Sequence, residues 1–115
     1  MKRNSETFFN SDNYQWEEVA SGVTRKITGY NDNIMMVLVK FELGAIGYMH
    51  DHPHSQTTYV EGGEFEITIG DKTQLLKKGD CFYAEPNIKH GVICKSAGIL
   101  VDVFSPVRED FLNAS

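Results

Sequence analysis

Three features of the sequence predict an all-β domain, a sandwich or a barrel. Short runs rich in Val, Ile, Phe, Tyr and Thr recur through residues 23–104, each closed by a Gly, Asn, Asp or Pro turn. The cleanest run, residues 64–69, alternates Phe65, Ile67 and Ile69 with Glu64, Glu66 and Thr68. That is the two-residue period of a strand with one buried face. No stretch carries the apolar period of a long helix. Eight or more strands without intervening helices therefore argue against alternating βα units.

The elements follow in chain order. Residues 1–22 read as an N-terminal arm, and 23–115 as the β domain. The arm is polar but carries Phe8, Phe9, Tyr14 and Trp16, rings that pack either on their own domain or across a subunit boundary. Residues 23–27 form a short strand, and 30–33 (Tyr-Asn-Asp-Asn) a turn. Residues 34–43 form a longer strand with Met35, Val37, Val39, Phe41 and Leu43 on one face. Residues 57–60 lead to Glu61-Gly62-Gly63, which reads as a hairpin turn into 64–69. Gly70-Asp71 returns the chain through 72–76, and Lys78-Gly79-Asp80 turns it into 81–84. After the Pro86-Asn87 turn come two last strands, 90–95 and 99–104, joined by Ser96-Ala97-Gly98. Residues 107–113 read as a helical turn.

Composition narrows the function classes. With 115 residues and 41% hydrophobic content, one domain with a real core is expected. A net charge of −5 argues against a nucleic-acid partner, which needs clustered Lys and Arg. The longest apolar run, residues 34–39, is far short of a membrane span, so no membrane partner is expected. The start, MKRNSETFFNSD, has no apolar segment of the kind an export signal needs. Cys81 and Cys94 are then expected as reduced, buried thiols in a soluble cytoplasmic protein.

The chemistry concentrates in GAIGYMHDHPHSQTTYVEGG, residues 44–63. It holds His50, His52 and His54, with Gln56 close behind. Alternation along one strand aims His50 and His52 at one point. A turn at Pro53 brings Gln56 back, either to add an amide oxygen to a metal or to hydrogen-bond within the pocket. His90 is the remaining histidine and the natural residue to close the site. Three imidazoles and an amide suit one divalent transition metal: Ni, Zn, Mn, Fe or Co. Without a carboxylate the ion keeps its full charge, which favours an anionic ligand.

The spacing Gly44-x5-His50-x-His52-x3-Gln56-x6-Gly63 resembles the first cupin motif, with Gln in place of Glu. Gly79, Glu85, Asn87, His90 and Cys94 resemble the second motif in spacing, with three departures from its usual residues. The tail ILVDVFSPVREDFL, residues 99–112, and HDHPHSQ, residues 50–56, are similar to those of the KdgF-type cupins of pectin and alginate breakdown. The resemblance implies a double-stranded β-helix, or jelly-roll, barrel. It also implies an isomerase acting on 4,5-unsaturated uronate monosaccharides to give linear keto sugar acids, with no organic cofactor. Small cupins commonly pair, so a homodimer is expected.

In such an enzyme Asp102 would be the general acid/base, since a carboxylate in ILVDVF needs a partner or a task; otherwise it is a structural Asp on a solvent-facing side. Arg108 would hold the substrate carboxylate, or else pair with Glu109 or Asp110 at the surface. Phe104 would line the pocket, or else belong to the plain core. His54 would reach its mouth or face solvent, and Cys94, in phase with His90, has a possible place in the lumen. Two other readings stay open: a sugar-acid-binding cupin without catalysis, and an iron-dependent cupin dioxygenase.

Overall fold

The structure, a computed structural model, describes residues 3–112. In chain order it contains β1 (Glu17–Ala20), β2 (Val23–Tyr30), β3 (Met35–Phe41), β4 (Ile46–His50), β5 (Ser55–Ile69), β6 (Lys72–Lys77), β7 (Cys81–Ala84), β8 (His90–Ser105) and the short helix α1 (Glu109–Leu112). Every strand pairing is antiparallel.

The two long strands, β5 and β8, run against each other over their full length and serve two sheets at once. Residues 55–60 of β5 pair with 100–105 of β8, and residues 64–69 pair with 90–96. β3, β2 and β1 extend the first pairing on one side and β7 on the other. β4 and β6 flank the second pairing. One ladder folded over itself into two facing sheets is the jelly roll that the resemblance implies.

The fold line lies at Gly62, Gly63 and Gly98, where the β5–β8 register shifts repeatedly. A hairpin turn at 61–63 and a break at 96–98 were expected; both strands instead run through. The glycines permit close backbone approach. Gly63 sits at φ +82°, and a Cβ there would lie 2.5 Å from the Ser96 carbonyl oxygen. The corner also inverts the buried parity of β5. Gln56, Thr58 and Val60 are buried before it, Phe65 and Ile67 after it. A strand can face one core from two sheets only by such a slip.

Two clusters fill the interior. The larger gathers Val23, Phe41, Val60, Phe65, Ile67, Leu76, Cys94 and Leu100; the smaller gathers Met35, Val37, Phe104 and Val107. The Phe41 and Phe65 rings meet edge to face at 5.3 Å. Two expectations fail here. Leu43 is 72% exposed, because β3 ends at Phe41 and the chain turns before Leu43 can continue the inner face. Cys81 is exposed on β7, whereas Cys94 is buried as expected, with Sγ 3.2 Å from the Ser96 carbonyl oxygen.

The N-terminal segment lies on its own domain. The Ser5 N–H donates to Tyr30 O at 2.9 Å, and β1 pairs with β2. The Lys26 ammonium, in a side chain only 7% exposed, sits 4.3 Å from the Tyr14 ring and 4.9 Å from the Trp16 ring. At the other end, α1 falls within the expected helical tail; Asn113, the last residue of that expectation, lies outside the described residues. No helix among the described residues is long and apolar enough to cross a membrane.

Candidate metal centre

His50 ends β4 directly opposite His90, the first residue of β8. Simple alternation would point Gly47 and His50 to opposite faces. Between them the register against β8 slips by one residue, and the extra residue turns both toward the same cavity. His52 lies past the end of β4, in the loop to β5, rather than beside His50 on one strand as expected. That loop is held by the Asn87 N–H, which donates to His52 O at 2.8 Å. The ring centroids stand 4.4 Å apart for His50 and His90, 4.9 Å for His52 and His90, and 5.6 Å for His50 and His52. One ring nitrogen from each lies within 4.8 Å of the other two. The chain has thus brought three imidazoles from two strands and a loop to one point.

Their hydrogen bonds fit a metal ion. His50 Nδ1 is 2.8 Å from Tyr48 O and His90 Nδ1 is 2.9 Å from Ile88 O. A carbonyl needs the proton on Nδ1, which leaves Nε2 as a lone-pair donor to a metal. His90 Nε2 is buried with no hydrogen-bond partner among the described residues. His52 faces oxygen acceptors with both nitrogens: His54 O at 3.2 Å and Gln56 Oε1 at 3.0 Å. A neutral imidazole has one N–H, so it can satisfy only one of them. A cation held by His52 Nε2 and Gln56 Oε1 would resolve the conflict, since two ligand atoms of one ion lie ~3.0–3.4 Å apart. Burial is the leading cause that holds His52 and His90 below the ordinary 6.5, with the Arg108 charge adding to it. Both are then neutral, the ligating form, at pH 7.

A polar chain leads away from the histidines. Gln56 Nε2 donates to Thr58 Oγ1 at 3.0 Å and more weakly to Asp102 Oδ1 at 3.4 Å, and Thr58 Oγ1 donates to Asp102 Oδ1 at 2.7 Å. Strand register makes this possible, because Thr58 is the cross-strand partner of Asp102 and Gln56 that of Phe104. Burial pushes the Asp102 carboxyl up from the ordinary 3.8 to about 6, although Thr58, Arg108, His50 and Gln56 pull the other way. Asp102 Oδ2 has no hydrogen bond among the described residues.

A cavity of about 230 Å³ is lined in part by His50, His90, Gln56, Asp102, Phe104 and Arg108. Phe104 also meets the His52 ring edge to face at 5.7 Å. Arg108 stacks over Phe111 at 4.2 Å, and Asp110 takes its fork, Nε at 3.0 Å and Nη2 at 2.8 Å. Glu109 instead pairs with Arg3. His54 does not line this cavity. It lines a separate one with Arg3, Asp32, Val107, Glu109 and Asp110. Cys94 belongs to the packed core and does not reach the cavity.

Residues 37–104 match the cupin domain family. The chain belongs to the cupin family. Within it, the chain is 45% identical to the pectin degradation protein KdgF of Dickeya dadantii, over 91% of this chain and 97% of that one. Among solved structures, an RmlC-like cupin from Shewanella frigidimarina superposes with a TM-score of 0.92 at 41% identity, covering 94% of this chain and 97% of the other. KdgF from Halomonas sp. superposes with a TM-score of 0.88 at 35% identity, covering 93% and 99%. The kinship with KdgF proteins thus extends well beyond the two cupin motifs, as the tail suggested.

Three residues of the site were not singled out from the sequence: Arg25 and Phe111 in the cavity wall, and Thr58 behind Asp102. Arg25 did leave a signal. It stands in phase with Val23 and Ile27 on β2, a charge on an otherwise apolar face. Thr58 and Phe111 left none, because a threonine and a phenylalanine are ordinary on a strand and in a helical turn.

Proposed function

We propose that this cupin converts 4,5-unsaturated uronate monosaccharides, released in pectin or alginate breakdown, to linear keto sugar acids. The observation that carries this reading is the placement of a buried carboxylate, Asp102, in one cavity with His50 and His90 of the histidine cluster. The likeness to KdgF proteins over nearly the whole chain supports the substrate class.

His50, His52, His90 and Gln56 would hold one divalent ion of Ni, Zn, Mn, Fe or Co. Such an ion supplies positive charge that favours an oxyanion developing beside it. The substrate is a cyclic hemiacetal. In the reaction its C1 hydroxyl loses a proton, the bond from C1 to the ring oxygen breaks, and an aldehyde and a C5 enol result. C4 then takes a proton and the enol becomes a ketone. Net, one proton moves from oxygen to carbon; no oxidant, reductant or organic cofactor enters.

Asp102 is the group that moves this proton. Thr58 holds one of its oxygens at 2.7 Å, which leaves the other for substrate. Arg108 presents a cation to the substrate carboxylate from the cavity wall, and Phe104 covers the site against water. Gln56 contributes twice, with its oxygen toward His52 and its nitrogen toward Asp102. His54 acts through His52, whose ring its carbonyl orients at 3.2 Å.

The deciding experiment incubates metal-loaded protein with an unsaturated uronate and follows loss of the conjugated double bond. Faster loss than in buffer is expected; a rate equal to buffer overturns the proposal. A protein that binds the uronate yet slows the change is a binder. We further propose that the chain works in the cytoplasm, where Cys81 and Cys94 stay as free thiols, and that it pairs as a homodimer. Leu43, Tyr48 and Met49 leave exposed apolar surface beside and on β4 for such pairing.

A further inference from the structure

We infer that Arg25 is a second guanidinium that receives the substrate carboxylate, and that it selects uronates over neutral sugars. The inference rests on the uronate reading above and deepens it.

Arg25 lies on β2 opposite Val39 of β3, which in turn pairs with Leu100 of β8; all three line the cavity that holds His50, His90 and Asp102. Its side chain is only 12% exposed. The guanidinium carbon sits 4.0 Å from the centre of the Phe111 ring, and that of Arg108 sits 4.2 Å from the same centre. One aromatic ring therefore carries two cations, both in the cavity wall.

The two arginines differ in what remains open on them. Arg108 gives Nε and Nη2 to Asp110. Arg25 gives only Nε, to Glu17 Oε1 at 2.8 Å; its two Nη atoms have no hydrogen bond among the described residues. A guanidinium enclosed to this degree, with a pair of donors unused, is costly unless a ligand or water takes them up. That pair matches the two oxygens of a carboxylate, and a hydroxyl cannot span it. The cavity, at about 230 Å³, is smaller than the ~300 Å³ lower end of drug-sized sites. It suits a single sugar ring bearing that carboxylate.

The test measures binding of galacturonate, a saturated uronate, and of galactose by calorimetry. Metal-loaded wild type, Arg25→Gln and Arg25→Lys are compared, with metal content and circular dichroism checked for each. Galacturonate should bind Arg25→Gln weaker by ~10-fold or more, the loss expected when hydrogen bonds to a charged group go. Arg25→Lys should fall between, keeping charge without the fork, and it carries the test alone if Arg25→Gln fails to fold. Galactose affinity should not change. With an unsaturated uronate, KM should rise and kcat should hold. Equal galacturonate affinity in wild type and variants overturns the role of Arg25, as does an equal loss for galactose, while turnover by wild type keeps the enzyme reading. A wild type that neither binds galacturonate nor turns over the unsaturated uronate overturns both.

Discussion

Asp102 is the residue at which stability and chemistry pull in opposite directions. Its carboxyl is raised to about 6 in the folded chain against an ordinary 3.8. A raised acid contributes stability below its unfolded pKa, and that stability is lost as pH rises through the folded value. In metal-free protein, Asp102→Asn should therefore gain on wild type between pH 4 and pH 8, by up to ~3 kcal/mol at ~1.4 kcal/mol per unit. Thermal melts of both proteins across that range read it; parallel curves would contradict it. The same variant, metal-loaded, should lose ~10²–10⁴-fold in turnover of an unsaturated uronate. Unchanged turnover would remove Asp102 as the proton carrier. Arg108→Lys keeps a charge but loses the planar fork by which Asp110 fixes it in the cavity wall. Its KM should rise while kcat changes little, and steady-state kinetics would reveal the reverse.

The histidines give the companion prediction. His52 and His90 are held below 6.5, first of all by burial. Groups with lowered pKa values give stability that is present above the unfolded value and lost as pH falls toward the folded one. Metal binding follows the same protons, so affinity should persist somewhat below pH 6.5 and then fall. A His50→Ala/His52→Ala variant should lose the ion altogether in elemental analysis. Equal metal content in variant and wild type would sink the assignment.

At the scale of elements, the corner in β5 and β8 does the most to place the site. It lets one strand carry Gln56 and Thr58 in one sheet and reach His90 through the other. Gly63→Ala should cost ~1–2 kcal/mol for its left-handed φ alone, with the contact to Ser96 O added. Gly44 makes a control, since its φ is +84° and nothing lies within 4 Å of a Cβ there. Urea unfolding should then rank Gly63→Ala below Gly44→Ala. Equal stabilities would mean that the close approach at the corner is easily relieved. β4 solves a smaller problem in the same way, since its one-residue slip is what turns His50 inward.

For the whole molecule, the N-terminal segment ties the site together from outside. Glu17 holds Arg25, Val19 lines the cavity, and Arg3 grips Glu109 at 2.6 Å, next to Arg108. Removing residues 1–20 would also uncover Lys26, which the Tyr14 and Trp16 rings cover. The truncated chain should lose ~1–3 kcal/mol, the range for a few partly buried cation–π contacts, and should bind uronates weakly. Light scattering should give the same oligomer mass for both chains. A shift to monomer on truncation would show that the segment also reaches a second copy.

The sequence by itself determined the β architecture and the grouping of the histidines, and it marked Asp102 as a carboxylate among apolar neighbours. Alternation in 64–69, the spacing from His50 to Gln56 and a carboxylate within ILVDVF are local patterns, readable from neighbours in the chain. The tertiary structure alone decided whether Gly62-Gly63 is a turn or a corner. A glycine pair between alternating runs suits both, and the atoms that distinguish them belong to Ser96, Ala97 and Gly98. It also decided which way His50 faces, because a bulge is defined only against the partner strand. It set His54 in a cavity of its own, apart from the one that His50 and His90 line. And it joined Arg25 to Arg108 across Phe111, because guanidinium and ring meet only when β2 and the tail pack on the same barrel mouth.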